Sequence, residues 1–230
     1  MRHQSNPEQS FYVYGLPVRL WHWSMAAAIT VLVITGYIIG MPWHSITGDP
    51  TKLFYMGFTR MAHFIAGYVL IIGFLGRTVY AFFGSKYARE IYYLPLLSSD
   101  WWHELWNDIK WYLFIDMNPR IHLGHNPLAR LGMFAFMLFL CLMMVTGIGM
   151  YAEEMYLWPV NPFHLILDAA YCTGGNSIDL HSWHRLGMKL VIAFVVVHLY
   201  MVAREEIMGK TTLLSTMLSG FRQIYPGKRG

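Results

Sequence analysis

Two histidines, His184 and His198, lie fourteen residues apart within the apolar segment LHSWHRLGMKLVIAFVVVHLY. An α-helix turns by about 100° per residue, so fourteen residues complete about 1400°, roughly 40° short of four turns. Both imidazoles should therefore lie on one face of a helix, about 21 Å apart along its axis. His181 falls roughly 100° from that face, so we expect it to cap the helix or to lie in the preceding loop.

Two other histidines, His22 and His63, each lie about one turn after the start of a separate apolar run. Ionisable side chains inside a membrane are functional candidates, because they are costly to bury there. Consecutive membrane-spanning helices run in opposite directions. His63 should therefore match His184 in depth, and His22 should match His198.

Paired imidazoles on facing helices indicate one type of cofactor. They can supply both axial ligands of a six-coordinate b-type haem, with the porphyrin held in a slot within a helix bundle. Iron coordinated in this way has no open position for a substrate, so it is suited to electron transfer. We predict two haem b groups, one bound by His63 and His184 and the other by His22 and His198.

Several interpretations of these side chains remain open. Arg60 and Arg185 flank the first pair and could bind haem propionates through charge-assisted hydrogen bonds, but anchoring to lipid headgroups would explain them equally well. The histidines could instead relay protons in a transporter or channel, although none lies at the middle of a span. The remaining histidines of the termini and loops are assigned no metal: His3, His44, His103, His122, His125 and His164.

The elements that must position these histidines are membrane helices. The chain of 230 residues is 56% hydrophobic and only 13% charged, and its apolar residues form four long runs. Each run approaches the ~20 residues that a helix needs to cross the hydrocarbon core. We predict one all-α integral membrane domain over residues 1–230, a four-helix bundle with transmembrane helices at about 20–40, 61–83, 129–151 and 184–204. Arg77 and Lys189 lie near span ends, where their long side chains can reach the interface.

Basic residues indicate the orientation, because Lys and Arg collect in cytoplasmic segments near spans. Residues 152–183 contain neither type, whereas the two termini and the loop between the second and third spans contain many. Both termini should be cytoplasmic, which makes His63/His184 the outer pair and His22/His198 the inner pair. The net charge of +4 is explained by this distribution, so nucleic-acid binding is not expected.

The long cytoplasmic loop should contain a further helix at residues 101–117. Apolar and polar residues alternate there at helical spacing, which is typical of a helix in the headgroup region. It could form the floor of a cofactor or quinone site, or simply anchor the loop through tryptophan. Asn126 and Pro127 fit a helix N-cap and first turn. The apolar residues at helical spacing are Trp101, Leu105, Trp106, Ile109, Tyr112 and Leu113. The charged residues among them are Glu104, Asp108 and Lys110.

Cysteine chemistry is limited to Cys141 and Cys172. Two cysteines cannot form a four-cysteine iron–sulfur site, and no C-x-x-C-H haem attachment sequence is present.

Four segments resemble a known family. They are LPVRLWHW (16–23), LFYMGFTRMAHFIAGYVL (53–70), GHNPLA (124–129) and YCTGGNSIDLHSWHRLGM (171–188). They look like the b-type cytochrome subunit of membrane-bound nickel-iron hydrogenases, and the similarity extends from about residue 11 to 225. The family's haem-ligating positions match His22, His63, His184 and His198.

The resemblance implies a di-haem anchor in the bacterial cytoplasmic (inner) membrane. Such a subunit binds the periplasmic iron–sulfur small subunit, and through it the large nickel-iron subunit, and passes electrons to quinone. The hydrogen chemistry would belong to those partners. The outer loop around Tyr171, Gly174 and Gly175 would be the docking surface, and the quinone would bind near the inner haem, among Arg19, Trp21 and the loop helix. The related membrane cytochrome of a formate dehydrogenase and a passive anchor remain alternatives.

Overall fold

The computed structural model describes residues 9–42, 54–84, 89, 92–117, 125–154, 171, 176–209 and 212–224. Within these ranges the chain forms six helices and two short strands. In chain order they are β1 (Gln9–Tyr12), α1 (Leu16–Gly40), α2 (Tyr55–Phe83), α3 (Ser99–Tyr112), α4 (Pro127–Glu154), α5 (Ser177–Ile207), α6 (Leu213–Ser219) and β2 (Phe221–Ile224).

Four helices, α1, α2, α4 and α5, are long and apolar enough to cross a membrane. They contain 25, 29, 28 and 31 residues, and only 11–22% of each span's most apolar segment is buried within the protein. The prediction of a helical membrane protein with four spans is therefore confirmed, while its orientation stays a prediction. All four helices begin before the apolar runs do, because a helix continues into the polar residues beyond the hydrocarbon core.

The described residues divide into two compact units, and every long helix contributes a segment to each. The first unit draws on the described residues within Met1–His22, Arg77–Ala135 and Phe194–Gly230, and the second on those within Trp23–Gly76 and Phe136–Ala193. His22 and His198 belong to the first unit, and His63 and His184 to the second. Each predicted pair is therefore contained in one unit.

The second unit has an apolar core to which segments of all four long helices contribute. Leu70 of α2, Leu140 of α4 and Val191 of α5 are buried against one another, and α1 adds Ile29 and Leu32. These contacts fix the rotation of each helix about its own axis and so decide which side chains face one another.

The first unit contains the two strands, which the sequence pattern did not predict. β1 and β2 pair antiparallel, with Tyr12 opposite Phe221. Gly220 ends α6 at a φ of 89°, and its carbonyl accepts a hydrogen bond of 2.9 Å from the Val13 amide. A Cβ at position 220 would lie 2.7 Å from the Tyr14 carbonyl oxygen, so this turn requires glycine.

The loop helix α3 is shorter than expected, spanning Ser99–Tyr112 rather than residues 101–117. The Ser98 hydroxyl caps its start by accepting from the Trp101 amide at 3.3 Å, and Phe114, with a φ of 62°, ends it. The buried face also differs from the predicted one. It includes Trp101, Leu105, Asp108, Trp111 and Tyr112, whereas Trp106 and Leu113 are exposed.

Two local expectations have opposite outcomes. The Asn126 cap is confirmed, because its side-chain oxygen accepts from the Ala129 amide at 2.7 Å and Pro127 begins α4. The expectation that Arg77 reaches the interface is wrong. Its side chain is 5% exposed, and its guanidinium carbon lies 5.5 Å from the centre of the Trp21 ring, where a cation–π contact offsets part of the cost of burial.

Candidate functional site

His63 and His184 face each other in the second unit. α2 carries His63 and α5 carries His184, and the centres of the two imidazole rings are 6.4 Å apart, with 64° between the ring planes. Both side chains are half-buried. Helix packing therefore brings together two residues that are separated by more than a hundred positions in the chain.

His22 and His198 face each other in the first unit with the same separation. α1 carries His22 and α5 carries His198, and their ring centres are also 6.4 Å apart, at an interplanar angle of 49°. Phe194, one turn before His198, stacks on its ring at 5.8 Å and 14°. This stacking restricts the orientation of the His198 imidazole.

The spacing in both pairs fits iron held between two imidazoles. A metal–histidine bond of about 2 Å, plus roughly 1 Å from each ligating nitrogen to its ring centre, places opposed ring centres about 6 Å apart. Among the residues that the structure describes, no three His, Cys, Asp or Glu side chains cluster as a metal site. A pair of protein ligands suits a porphyrin, because the macrocycle itself supplies the other four.

Residues of neighbouring helices hold the rings of the His63/His184 pair. The hydroxyl of Thr35 on α1 lies 2.8 Å from Nδ1 of His63, and that of Thr146 on α4 lies 2.8 Å from Nδ1 of His184. The glycine after each threonine allows the ring to approach. A Cβ at Gly36 would lie 3.3 Å from Cε1 of His63, and one at Gly147 would lie 3.3 Å from Cε1 of His184.

Sequence reasoning missed these four supporting residues. The available signal was the dipeptide Thr-Gly, which occurs at 35–36 in the first span and at 146–147 in the third. A threonine in a membrane helix commonly bonds its own backbone, so the dipeptide alone does not indicate a histidine partner. Only the packing of α1 on α2 and of α4 on α5 reveals it.

The other predicted residues have different surroundings. Arg60 and Arg185 are exposed on α2 and α5. His181 lies inside α5 and not in a loop or at a cap, and its Nδ1 is 2.8 Å from the Ser177 carbonyl oxygen. The Arg19 guanidinium donates to the Leu218 carbonyl at the end of α6.

The predicted docking loop is described only in part. Tyr171 donates a hydrogen bond to the Glu153 carboxylate, whereas Gly174 and Gly175 lie outside the described residues. Cys141 is a free thiol in α4, and Cys172 also lies outside the described ranges.

Four membrane helices and two opposed histidine pairs define a membrane cytochrome of the b type. The chain belongs to the prokaryotic cytochrome b561 family, whose sequence profile matches residues 13–220. The resemblance inferred from the four sequence segments is thereby confirmed.

Curated relatives cover nearly the whole chain. The "Probable Ni/Fe-hydrogenase 1 B-type cytochrome subunit" of Escherichia coli (strain K12) is 44% identical over 228 residues, which are 99% of this chain and 97% of that protein. The "Probable Ni/Fe-hydrogenase B-type cytochrome subunit" of Azotobacter vinelandii is 44% identical over 94% of this chain and 89% of its own length. The protein of that name from Rhizobium leguminosarum bv. viciae is 40% identical over 93% and 89%.

Proposed function

We propose that this chain is the di-haem subunit that anchors a nickel-iron hydrogenase in the bacterial cytoplasmic membrane and passes its electrons to quinone. One observation carries the proposal: two histidine pairs, each with ring centres 6.4 Å apart, lie on helices able to cross a membrane. The names of the relatives support the hydrogenase partner. These names favour a hydrogenase over a formate dehydrogenase as the partner.

The four histidines would hold the two haems. When bound, each haem supplies reversible one-electron transfer. His63 and His184 would hold the haem nearer the periplasmic partner, and His22 and His198 the haem nearer the cytoplasm. α5 carries one residue of each pair. Arg60 and Arg185, exposed beside the first pair, would bind propionates.

The electron donor would be the iron–sulfur small subunit of the hydrogenase, docked on the side of the loop between α4 and α5. Residues 152–183 contain no Lys or Arg, as expected of a segment on the periplasmic side. The large nickel-iron subunit would be held through this small subunit. Under this arrangement the chain conducts electrons and does not itself react with hydrogen.

The quinone would bind near the His22/His198 pair. Trp21 adjoins His22 and lies beneath the buried guanidinium of Arg77, and α3 belongs to the same unit. An aromatic surface with a nearby cation suits a planar ring that becomes negatively charged on reduction. Arg19, Trp21 and α3 are therefore the proposed surroundings of the acceptor.

Haem content tests the ligand assignment directly. The purified chain should show a reduced b-type absorption spectrum with two haems per polypeptide. His198→Ala should leave about one haem per chain and abolish quinone reduction, because the iron of the inner site loses an axial ligand. His184→Ala should instead remove the haem of the other pair.

A matched control is His181→Ala, since His181 lies on the same helix and bonds the backbone rather than another histidine. This variant should retain both haems. Two haems and full quinone reduction in His198→Ala would refute the assignment of the inner pair. Equal electron transfer in a haem-deficient chain would instead support a passive anchor.

The partner is tested by gentle solubilisation of the native membrane. Recovery of the chain with an iron–sulfur and nickel-iron hydrogenase would support the proposal. Recovery with a formate-oxidising enzyme in place of a hydrogenase would contradict it.

A further inference from the structure

Two threonines make the same contacts in the second unit. Thr35 and Thr146 are buried, with 8% and 4% exposure, and each hydroxyl oxygen lies 2.8 Å from Nδ1 of a histidine on the next helix. Each hydroxyl also bonds its own helix one turn back, Thr35 to the Val31 carbonyl at 2.6 Å and Thr146 to the Leu142 carbonyl at 2.7 Å.

These second bonds determine which atom donates to which. A carbonyl oxygen can only accept, so the single hydroxyl hydrogen of each threonine is committed to its own backbone. The hydroxyl oxygen can then offer the histidine only a lone pair, and Nδ1 must carry the hydrogen. A neutral imidazole protonated at Nδ1 has its remaining lone pair on Nε2.

We propose that Thr35 and Thr146 are positioning residues that hold His63 and His184 as Nδ1–H tautomers, with Nε2 as the iron ligand of each. This inference rests on the proposed haem ligation and extends it. The hydrogen bond to each hydroxyl also orients the ring and increases the basicity of the ligating nitrogen. A more basic ligand stabilises ferric iron, so the two threonines lower the reduction potential of the haem between these histidines.

Backbone bonding by itself does not explain the arrangement. Thr30, five residues before Thr35 on α1, makes the same bond to the carbonyl one turn back, at 2.8 Å to Ala26, but it is exposed. Thr30 therefore provides a matched control for the loss of a threonine hydroxyl from α1.

The test is a redox titration of both haems in the intact complex carrying Thr35→Val or Thr146→Val. Valine keeps the branched shape and removes the acceptor. The haem of the His63/His184 pair should become easier to reduce, with a change of roughly three- to tenfold in its ratio of reduced to oxidised forms at fixed potential. Tenfold corresponds to about 59 mV for a one-electron couple. The double variant should shift further.

The controls separate this inference from the ligand assignment. Thr35→Ser, which restores the hydroxyl, should return the potential to its native value, and Thr30→Val should leave both potentials unchanged. Both haems present with native potentials in Thr35→Val and Thr146→Val would overturn the role of the hydroxyls while leaving the ligands intact. A haem retained between residues 63 and 184 in His63→Ala would instead overturn the ligation itself.

If the valine variants lose haem, Thr35→Ser distinguishes a requirement for the hydroxyl from a requirement for the shape of the threonine. If Thr35→Ser then binds haem with the native potential and low-spin ferric EPR spectrum, the hydroxyl is required, as proposed. If Thr35→Ser loses the haem as well, the site requires the threonine's shape and the inference is wrong.

Discussion

Gly36 and Gly147 show how residues that bind nothing can determine the position of a ligand. Each lies beside an imidazole carried by a neighbouring helix, and an added Cβ would be 3.3 Å from the ring carbon Cε1. That distance is shorter than ordinary van der Waals contact. A side chain at either position would displace the ring by a few tenths of an ångström and disturb any bond that it makes to iron.

Gly147→Ala should therefore weaken haem binding at the His63/His184 pair by about tenfold, the lower end of losses caused by changes around metal ligands. The measurement is haem retained per polypeptide after purification at increasing detergent. Gly76→Ala is the control, because nothing lies within 4 Å of a Cβ added there. That control should bind haem normally and should even favour the helix by up to about 1 kcal/mol. Equal haem retention in both variants would contradict the close-approach explanation.

At the scale of elements, a buried polar network joins α3 to α5 within the first unit. The Tyr112 hydroxyl donates to the Glu205 carboxylate at 2.9 Å and accepts from the Asn126 amide at 3.0 Å, and its backbone carbonyl accepts from the Tyr200 hydroxyl at 2.5 Å. Burial, together with the nearby Glu205 carboxylate, raises the pKa of Tyr112 above its usual value. The phenol therefore stays protonated and able to donate.

Arg204 adds a second connection between the same helices. Its guanidinium donates to the Trp111 carbonyl and lies 4.3 Å from the centre of the Trp111 ring. α3 is thus held by specific contacts with α5 as well as by any affinity of its exposed tryptophans for the membrane interface. Its placement at that interface stays a prediction.

Tyr112→Phe should destabilise the first unit by about 1–3 kcal/mol, because the Glu205 and Asn126 groups lose a buried hydrogen-bond partner. Thermal unfolding of the detergent-solubilised chain, followed by release of haem, measures the effect. Tyr37→Phe makes the same change at an exposed position and should leave the midpoint unchanged. An unchanged midpoint in Tyr112→Phe would show that the network contributes no net stability.

At the scale of the whole molecule, the distribution of basic residues predicts its orientation. Arg204 lies in the last turn of α5, and Lys210, Arg222, Lys228 and Arg229 follow that helix, whereas residues 152–183 contain no Lys or Arg. Cytoplasmic segments near spans collect such residues. We therefore expect the end of α5 that carries His184 to lie on the periplasmic side of the membrane.

Reporter fusions test this orientation. A reporter that fluoresces only in the cytoplasm, fused after Gly230, should be bright, and one inserted between residues 155 and 170 should be dark. A thiol-reactive, membrane-impermeant label should correspondingly reach a cysteine placed in that loop from the periplasmic side. The reverse pattern would exchange the donor and acceptor sides proposed for the two histidine pairs.

Sequence alone determined the membrane class, the four spans and the choice of histidine partners. Apolar runs of sufficient length predict spanning helices, and the regular rise and rotation of a helix place His184 and His198 on one face at two levels. The ends of α3, the burial of Arg77 and the pairing of β1 with β2 were not predictable in this way. The burial of Arg77 and the strand pairing depend on contacts between segments far apart in the chain, whereas the ends of α3 are set locally, by the Ser98 cap and the positive φ of Phe114.

Only the tertiary structure decided how the imidazoles are held. The rotation of α1 against α2 and of α4 against α5 places four residues beside the imidazoles: Thr35, Gly36, Thr146 and Gly147. That rotation is set by the packing of many side chains at once, including the core around Leu70, Leu140 and Val191. Periodicity within one helix specifies which residues share a face, but it contains no information about which face of a neighbouring helix will meet it.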